Sequence, residues 1–209
     1  YVCGVTVYDY CHVGHARAAI VFDTIYRYLQ YLGNDVIFVR NFTDVDDKII
    51  NRAAERGEEP MALAQRYIEA FTEDAAHLGL IEPDEEPRVS QNIAEIIEMA
   101  QTLIERGHAY VEEGTVWFSV TSFSEYGKLS RQKVDQLRSA DDSAGKRSGA
   151  DFALWKATKP GEPAWPSPWG PGRPGWHIEC SAMSCSCLGD QIDIHGGGLD
   201  LVFPHPENE

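Results

Sequence analysis

Three groups of residues in this sequence have types and spacings that can do chemistry. The first is His12-Val13-Gly14-His15, two imidazoles flanking a glycine. At the start of a helix, free backbone N–H groups and the macrodipole attract anions. Two imidazoles there can donate hydrogen bonds to phosphate oxygens, and Gly14 lets a ligand approach the backbone closely. Alone, the pattern fits two ordinary surface histidines equally well.

The second group is a ligand set. His205 and Glu209 are four residues apart; on a helix they share one face, as ligands of one metal must. Cys3 and Cys180 are candidate thiolates from distant segments. No CxxC pair is present, so such a site has to be assembled by the fold. Cys185 and Cys187 compete for the same role, and Cys3 and Cys180 are also compatible with small buried apolar residues. The third group is Gly196-Gly197-Gly198-Leu199-Asp200 after an expected strand ending in His195. Three glycines allow backbone to pack against a flat ligand, and Asp200 can hold a ribose hydroxyl or an amine. A plain tight turn explains the same residues.

These groups need elements to position them. Residues 1–7 are rich in β-branched and aromatic types and predict a buried strand. Ala18, Val21, Phe22, Ile25, Leu29 and Leu32 then recur at helical spacing, with Gly33 as the stop. Residues 36–39 read as the next strand. This strand–helix–strand unit is of parallel α/β type, with the histidine turn at the carboxyl end of the first strand, where ligands bind in open α/β sheets. Helices are expected over 46–56 and 61–78, and a third from about Ser90, whose Ile93, Ile96, Ile97, Ala100, Leu103 and Ile104 form a core-facing stripe. A hairpin is expected around 108–111 and 115–120, and a loop over 141–150. Residues 160–176 are dense in Pro, Gly and Trp, which excludes a regular helix or a central strand. A short helix over 181–188, a strand over 191–195 and the terminal Phe203-Pro204-His205-Pro206-Glu207-Asn208-Glu209 complete the order.

Composition narrows the classes. A chain of 209 residues with 43% hydrophobic and 24% charged residues can bury a real core. No apolar run approaches the roughly 18 residues of a membrane span. The net charge is −15, from 33 acidic and 18 basic residues, which makes a poor non-specific nucleic-acid binder. One local basic stretch departs from this: Lys128, Arg131, Lys133, Arg138, Lys146 and Arg147 against Asp135, Asp141 and Asp142. It reads either as a docking patch or as a solvated connector. Five irregularly spaced cysteines do not make a disulfide framework and suit a reduced, cytoplasmic setting. The chain opens inside an apolar stretch and stops at Glu209, which reads as a fragment of a longer protein.

Taken together, the blocks resemble a known family. Tyr1-Val2-Cys3-Gly4 with His12-Val13-Gly14-His15-Ala16-Arg17 looks like the HIGH signature of class I aminoacyl-tRNA synthetases. Asn41-Phe42-Thr43-Asp44-Val45-Asp46-Asp47-Lys48-Ile49-Ile50 is similar to the second block of the cysteinyl-tRNA synthetases. Gly175-Trp176-His177-Ile178-Glu179-Cys180-Ser181-Ala182-Met183, Asp193-Ile194-His195-Gly196-Gly197-Gly198 and the 203–209 segment resemble that family's later blocks.

The resemblance implies an α/β fold: a Rossmann-like parallel-sheet catalytic domain over 1–209, with an inserted helical and strand-containing connective region at about 85–150. The KMSKS loop and the anticodon-binding domain would lie outside this chain, and the fragment alone would then be weak or inactive. The implied activity is ATP-dependent activation of cysteine to cysteinyl-adenylate and its transfer to tRNA(Cys). The implied partners are cysteine, Mg-ATP and tRNA(Cys), for a monomer in the cytoplasm with no membrane role. The implied cofactor is one zinc, held by Cys3, Cys180, His205 and Glu209. His12 and His15 fall on the catalytic, phosphate-facing histidines, and Gly14, Gly196, Gly197, Gly198 and Asp200 join them around ATP and the adenylate. Thr43, Trp176, His195 and Asp200 fall on the cysteine pocket. Two other readings of these residues are a related cysteine ligase of the mycothiol type and a non-catalytic cysteine- or tRNA-binding relative. One departure is Pro206, where the family usually carries a second histidine. Proline suits a first helical turn, and His205 keeps the ligand position. Another is Val5, where many members carry Pro or Ile.

Overall fold

A computed structural model describes residues 1–132 and 145–209. They divide into two compact units: Tyr1–Gln91 with Ser184–Gly198, and Asn92–Met183 with Leu199–Glu209. Residues 141–144 of the expected loop at 141–150, and the basic residues Lys133 and Arg138, lie outside the described residues.

The first unit is of α/β type. Val2 bridges in parallel to both Arg40 and Gly196, Thr6 to Thr43, Val39 to Glu85 and Phe42 to Arg88. Four segments therefore run side by side in the order 196, 2, 40, 85. The expected strands at 1–7 and 36–39 are present as isolated parallel bridges and not as regular strands, and in place of the expected strand at 191–195 the bridge falls on Gly196. Between residues 1–7 and 39–43 a local cause is visible. The Gly4 N–H donates to the Asn41 side-chain Oδ1 at 2.8 Å, so a side chain takes the place of a ladder carbonyl and the pairing breaks between Val2 and Thr6.

Helix α1 (Val13–Tyr31) follows the first segment, and Gly33, at φ 87°, supplies the expected stop. No residue of α1 is buried. Phe22, Ile25, Tyr26 and Leu29 instead line an open cavity of about 500 Å³ with residues 36–38 and 192–194. Helix α2 (Asp47–Arg56) starts where Asp46 accepts the Lys48 N–H and ends on Gly57 in the left-handed region. Helix α3 (Pro60–His77) starts with Pro60 in its first turn and the Glu59 carboxylate accepting the Ala62 N–H. Val7, Phe42, Ile49, Ala53, Leu63, Tyr67, Ile68 and Phe71 form one core between these helices and the bridged segments.

The second unit packs α4 (Ile93–Glu105) against an antiparallel sheet in the order β1 (Ala109–Glu112), β2 (Thr115–Phe118), β3 (Phe152–Ala157), β4 (Gly172–Pro174). The stripe on α4 does face inward at Ile96 and Ala100, both fully buried. The hairpin β1–β2 matches the expected pair, whereas β3 was not expected. The Pro-rich segment contributes β4, at the sheet edge, where a proline's missing N–H leaves no central ladder bond unmade. Gly172 is needed there, since a Cβ would lie 2.2 Å from Trp155 Nε1.

Helix α5 (Trp176–Leu188) begins five residues earlier than expected, directly after Gly175. Ile178, Glu179, Cys180, Ala182, Met183 and Ser184 are all buried, so the first half of the helix shows no exposed polar face from which its start could be read. Helix α6 (His205–Asn208) is a short turn with Pro206 near its start, as proline's fixed φ allows.

Gly4→Ala tests the bridged segments. Its Cβ would sit 1.5 Å from the Asn41 carbonyl oxygen, a backbone clash that no rotamer relieves. The variant should lose about 2 kcal/mol or more, lowering the melting temperature by about 5 °C or more, measurable by calorimetry. A wild-type melting curve would contradict this packing.

Candidate metal and anion sites

The second unit gathers three of the four expected metal ligands. The early start of α5 puts Trp176 and Cys180 four residues apart on one helix face. The α6 turn brings His205 and Glu209 together, with the Glu209 N–H donating to the His205 carbonyl at 3.1 Å. His205 Nε2 lies 2.8 Å from Glu209 Oε1 and 3.7 Å from Cys180 Sγ. One ligand atom of each residue lies within 4.8 Å of the others. Cys180 and His205 are both 2% exposed. A thiol, an imidazole nitrogen and a carboxylate oxygen converging in a buried place form a donor set that suits a borderline-soft divalent ion.

The far side of the His205 ring is equally determined. Trp176 stacks on it at 4.2 Å and 6°. Its Nδ1 lies 2.9 Å from His177 Nδ1, so one of these two nitrogens carries a proton. Burial, followed by the neighbouring His205, pushes the His177 pKa down to about 3, and His177 is neutral at ordinary pH. A neutral ring either accepts at Nδ1 or donates from it; the arrangement in which His205 Nδ1–H donates to His177 is the one that leaves the His205 Nε2 lone pair for a metal. Sequence reasoning gave His177 no role. The available signal was His-x-x-Cys at 177 and 180, a spacing that shares a helix face.

The remaining predicted residues fall as follows. Cys3 belongs to the first unit, half-buried, with Sγ 3.5 Å from His195 Nε2. Its N–H donates to the Gly196 carbonyl at 2.8 Å. Gly196 itself has no room for a side chain, since a Cβ would meet the Phe22 ring at 2.3 Å. Thr43 is buried in the first unit, within 3.4 Å of the Asn41 amide nitrogen. Gly197 and Gly198, which follow Gly196 in the sequence, are half-buried, and Asp200 is exposed in a 3-10 turn, Leu199–Leu201, of the second unit. Cys185 and Cys187, the competing thiols, lie in the first unit beside acidic Asp190 and Glu85, and burial pushes both pKa values up. High thiol pKa values disfavour the thiolate a metal needs.

At the start of α1, His12 is the N-cap, and its Nδ1 accepts from the Gly14 N–H at 3.0 Å. His15 Nδ1 accepts from the His12 N–H at 3.2 Å. A Cβ on Gly14 would come within 2.8 Å of the His12 ring, so glycine is what lets the ring fold over. Both Nδ1 atoms accept, so in the neutral rings the proton sits on each Nε2, ready to donate outward. Burial and then His12 push the His15 pKa down, favouring the neutral donor. Of the basic stretch, Lys128 is exposed beside Glu125, and Lys146 and Arg147 lie over the rings of Trp117 and Tyr110.

The family model of the class I tRNA synthetase (C) catalytic domain matches residues 1–209. The chain belongs to this family. Curated relatives named cysteine–tRNA ligase are similar along all of it: 62% identity in Alkalilimnicola ehrlichii, 61% in Syntrophotalea carbinolica and 60% in Methylococcus capsulatus. The synthetase domain spans 44–46% of the length of these relatives. Among the described residues, no helix is long and apolar enough to cross a membrane.

Cobalt(II) titration checks the ligand set. The domain should show a thiolate-to-metal charge-transfer band. Cys180→Ser should weaken binding by more than the roughly 10–100-fold that losing an outer partner of a ligand costs. Cys185→Ser and Cys187→Ser should bind as wild type. The opposite pattern would move the site to those two cysteines.

Proposed function

We propose that this synthetase domain is the amino-acid-activating part of a cysteine–tRNA ligase and that it reads the substrate side chain with zinc. The observation that carries the reading is the convergence of Cys180 Sγ, His205 Nε2 and Glu209 Oε1 beside the Trp176 ring. Cys3 is the proposed fourth ligand, on the strength of the family resemblance. The connective region at about 85–150 and the cytoplasmic monomer are part of the same reading.

When bound, zinc offers the substrate thiol a preferred soft partner. Serine carries oxygen in place of sulfur and makes a much weaker partner. A site that depends on one such bond rejects the analogue lacking it without an editing step. The chain's residues do the rest by position. Trp176, Thr43, His195 and Asp200 are the proposed walls and polar contacts of the cysteine pocket, with Gly196, Gly197 and Gly198 leaving backbone accessible to the adenylate.

In the first half-reaction a cysteine carboxylate oxygen attacks the α-phosphorus of Mg-ATP. A carboxyl–phosphorus bond forms, the bridging bond to the β-phosphate breaks, and pyrophosphate leaves with the electron pair. His12 and His15 donate Nε2–H bonds to phosphate oxygens at the positive end of α1, with Gly14 giving close backbone approach. In the second, a terminal hydroxyl of tRNA(Cys) attacks the cysteinyl carbonyl and AMP leaves.

Two measurements test this. Zinc-loaded protein should bind cysteine at least about 100-fold more tightly than serine, at or above the upper range of a merely apolar pocket and toward the roughly 10⁴-fold that a site built around one specific bond reaches. Calorimetry giving similar affinities would refute a metal-read side chain. In the native gene product, His15→Ala should slow cysteine-dependent ATP–pyrophosphate exchange by about 10²-fold or more, as loss of a transition-state donor does. Cysteine binding should be little changed. Loss of cysteine binding with near-normal exchange would place His15 in the amino-acid pocket instead.

A further inference from the structure

We propose that Glu207 is a positioning residue for the metal centre: it ties α6 to the turn at residues 126–130 and thereby sets the convergence of His205 and Glu209. The inference rests on the metal reading above.

Helix α6 is four residues long, and Pro204 gives it no side-chain cap. Its own hydrogen bonds cannot hold so short a helix, so its shape has to come from outside. Positions 205 and 209 are about 40° apart around a helix, and position 207 is about 200° from 205. The two ligands therefore share one face and Glu207 occupies the opposite one.

The bonds follow that division. Glu207 Oε1 accepts the Gly127 N–H at 2.7 Å, and Oε2 accepts the Ser130 N–H at 2.6 Å. The next residue, Asn208, accepts the Tyr126 hydroxyl through Oδ1. Both carboxylate oxygens and the adjacent amide thus bind one turn.

That turn is a firm anchor. Tyr126 and Gly127 are buried. Gly127 has φ 90°, and a Cβ there would lie 2.2 Å from the Gln132 carbonyl oxygen. The turn closes tightly on itself and only glycine fits. Charge-assisted bonds from backbone N–H groups to a carboxylate are about twice as strong as neutral ones. Cys180, by contrast, is placed by α5 and not by this turn. Loosening Glu207 should move His205 and Glu209 relative to Cys180 while leaving every ligand in the sequence.

The test uses the 209-residue protein, with zinc affinity measured by competition with a chromophoric chelator. Glu207→Gln keeps the size but places an NH₂ group against backbone donors. It should weaken zinc binding by about 10–100-fold, the cost of losing an outer partner of a ligand, and should shift the cobalt(II) d–d bands. A lower melting temperature of the metal-free protein with wild-type zinc affinity and a wild-type cobalt spectrum would make Glu207 merely structural and overturn the proposal. Tyr126→Phe, which frees Asn208, should act in the same direction more weakly, and it decides the matter if Glu207→Gln fails to fold. Wild-type protein that binds no zinc, or Cys180→Ser that binds it normally, would overturn the metal reading itself. Normal binding by wild type and Glu207→Gln alike would overturn this inference alone.

Discussion

A buried imidazole suited to bind a metal almost always has a fixed partner at its other nitrogen, and the second unit is built so that His205 has one. His205 is almost fully covered, with Trp176 along its face and His177 at Nδ1. The support continues outward through rings. Phe152 on β3 meets His177 edge-on at 5.3 Å, and Phe118 on β2 stacks on Phe152 at 5.0 Å. The sheet therefore holds His177, and His177 orients His205. Hydrogen bonds of this kind fix a ligand's tautomer and its basicity together.

The first unit meets a different demand. A chain with net charge −15 repels a polyanionic nucleotide at long range. In the proposed function attraction has to be local, and the start of α1 would supply it without adding a full positive charge. No acidic residue occupies the first turn of that helix, where one would compete with an anion. Two imidazoles held by backbone N–H groups add fixed Nε2–H donors whose orientation is settled before any ligand arrives, the condition under which such donors help most.

Local periodicity made much of this legible. Helices α1, α2, α3 and α4 announce themselves through apolar spacing and through Asp46, Pro60, Gly33 and Gly57 at their ends. The hairpin β1–β2 shows its turn. The early start of α5 was hidden because seven of the eight residues from His177 to Ser184 are buried, and β3 because Phe152–Ala157 has no clean alternation, with only Leu154 and Trp155 buried. Between residues 1–7 and 39–43 the expected regular pairing gave way to single bridges because Asn41 puts its side chain where a ladder carbonyl would stand. At the site, ligand types and the four-residue spacing of His205 and Glu209 could be read directly. The outer partners could not, because His177 and the turn that anchors Glu207 act through contacts over 28 and about 80 residues of sequence.

The histidines show why residue type alone could not assign function. His12 and His15 are bound through Nδ1 by backbone donors and so present Nε2–H. His108 spends its Nδ1 on Ser122 near the sheet. His177 and His205 share a bond between their Nδ1 atoms, and whichever ring donates in it fixes the tautomer of both neutral rings. In the proposed function the same side chain would thus be a hydrogen-bond donor to an anion, a structural link, an acceptor or a lone-pair donor. In each case the choice is made by what the second nitrogen already holds. A substitution that keeps every histidine but removes one of those second partners would change the chemistry of the site while leaving its signature motifs intact.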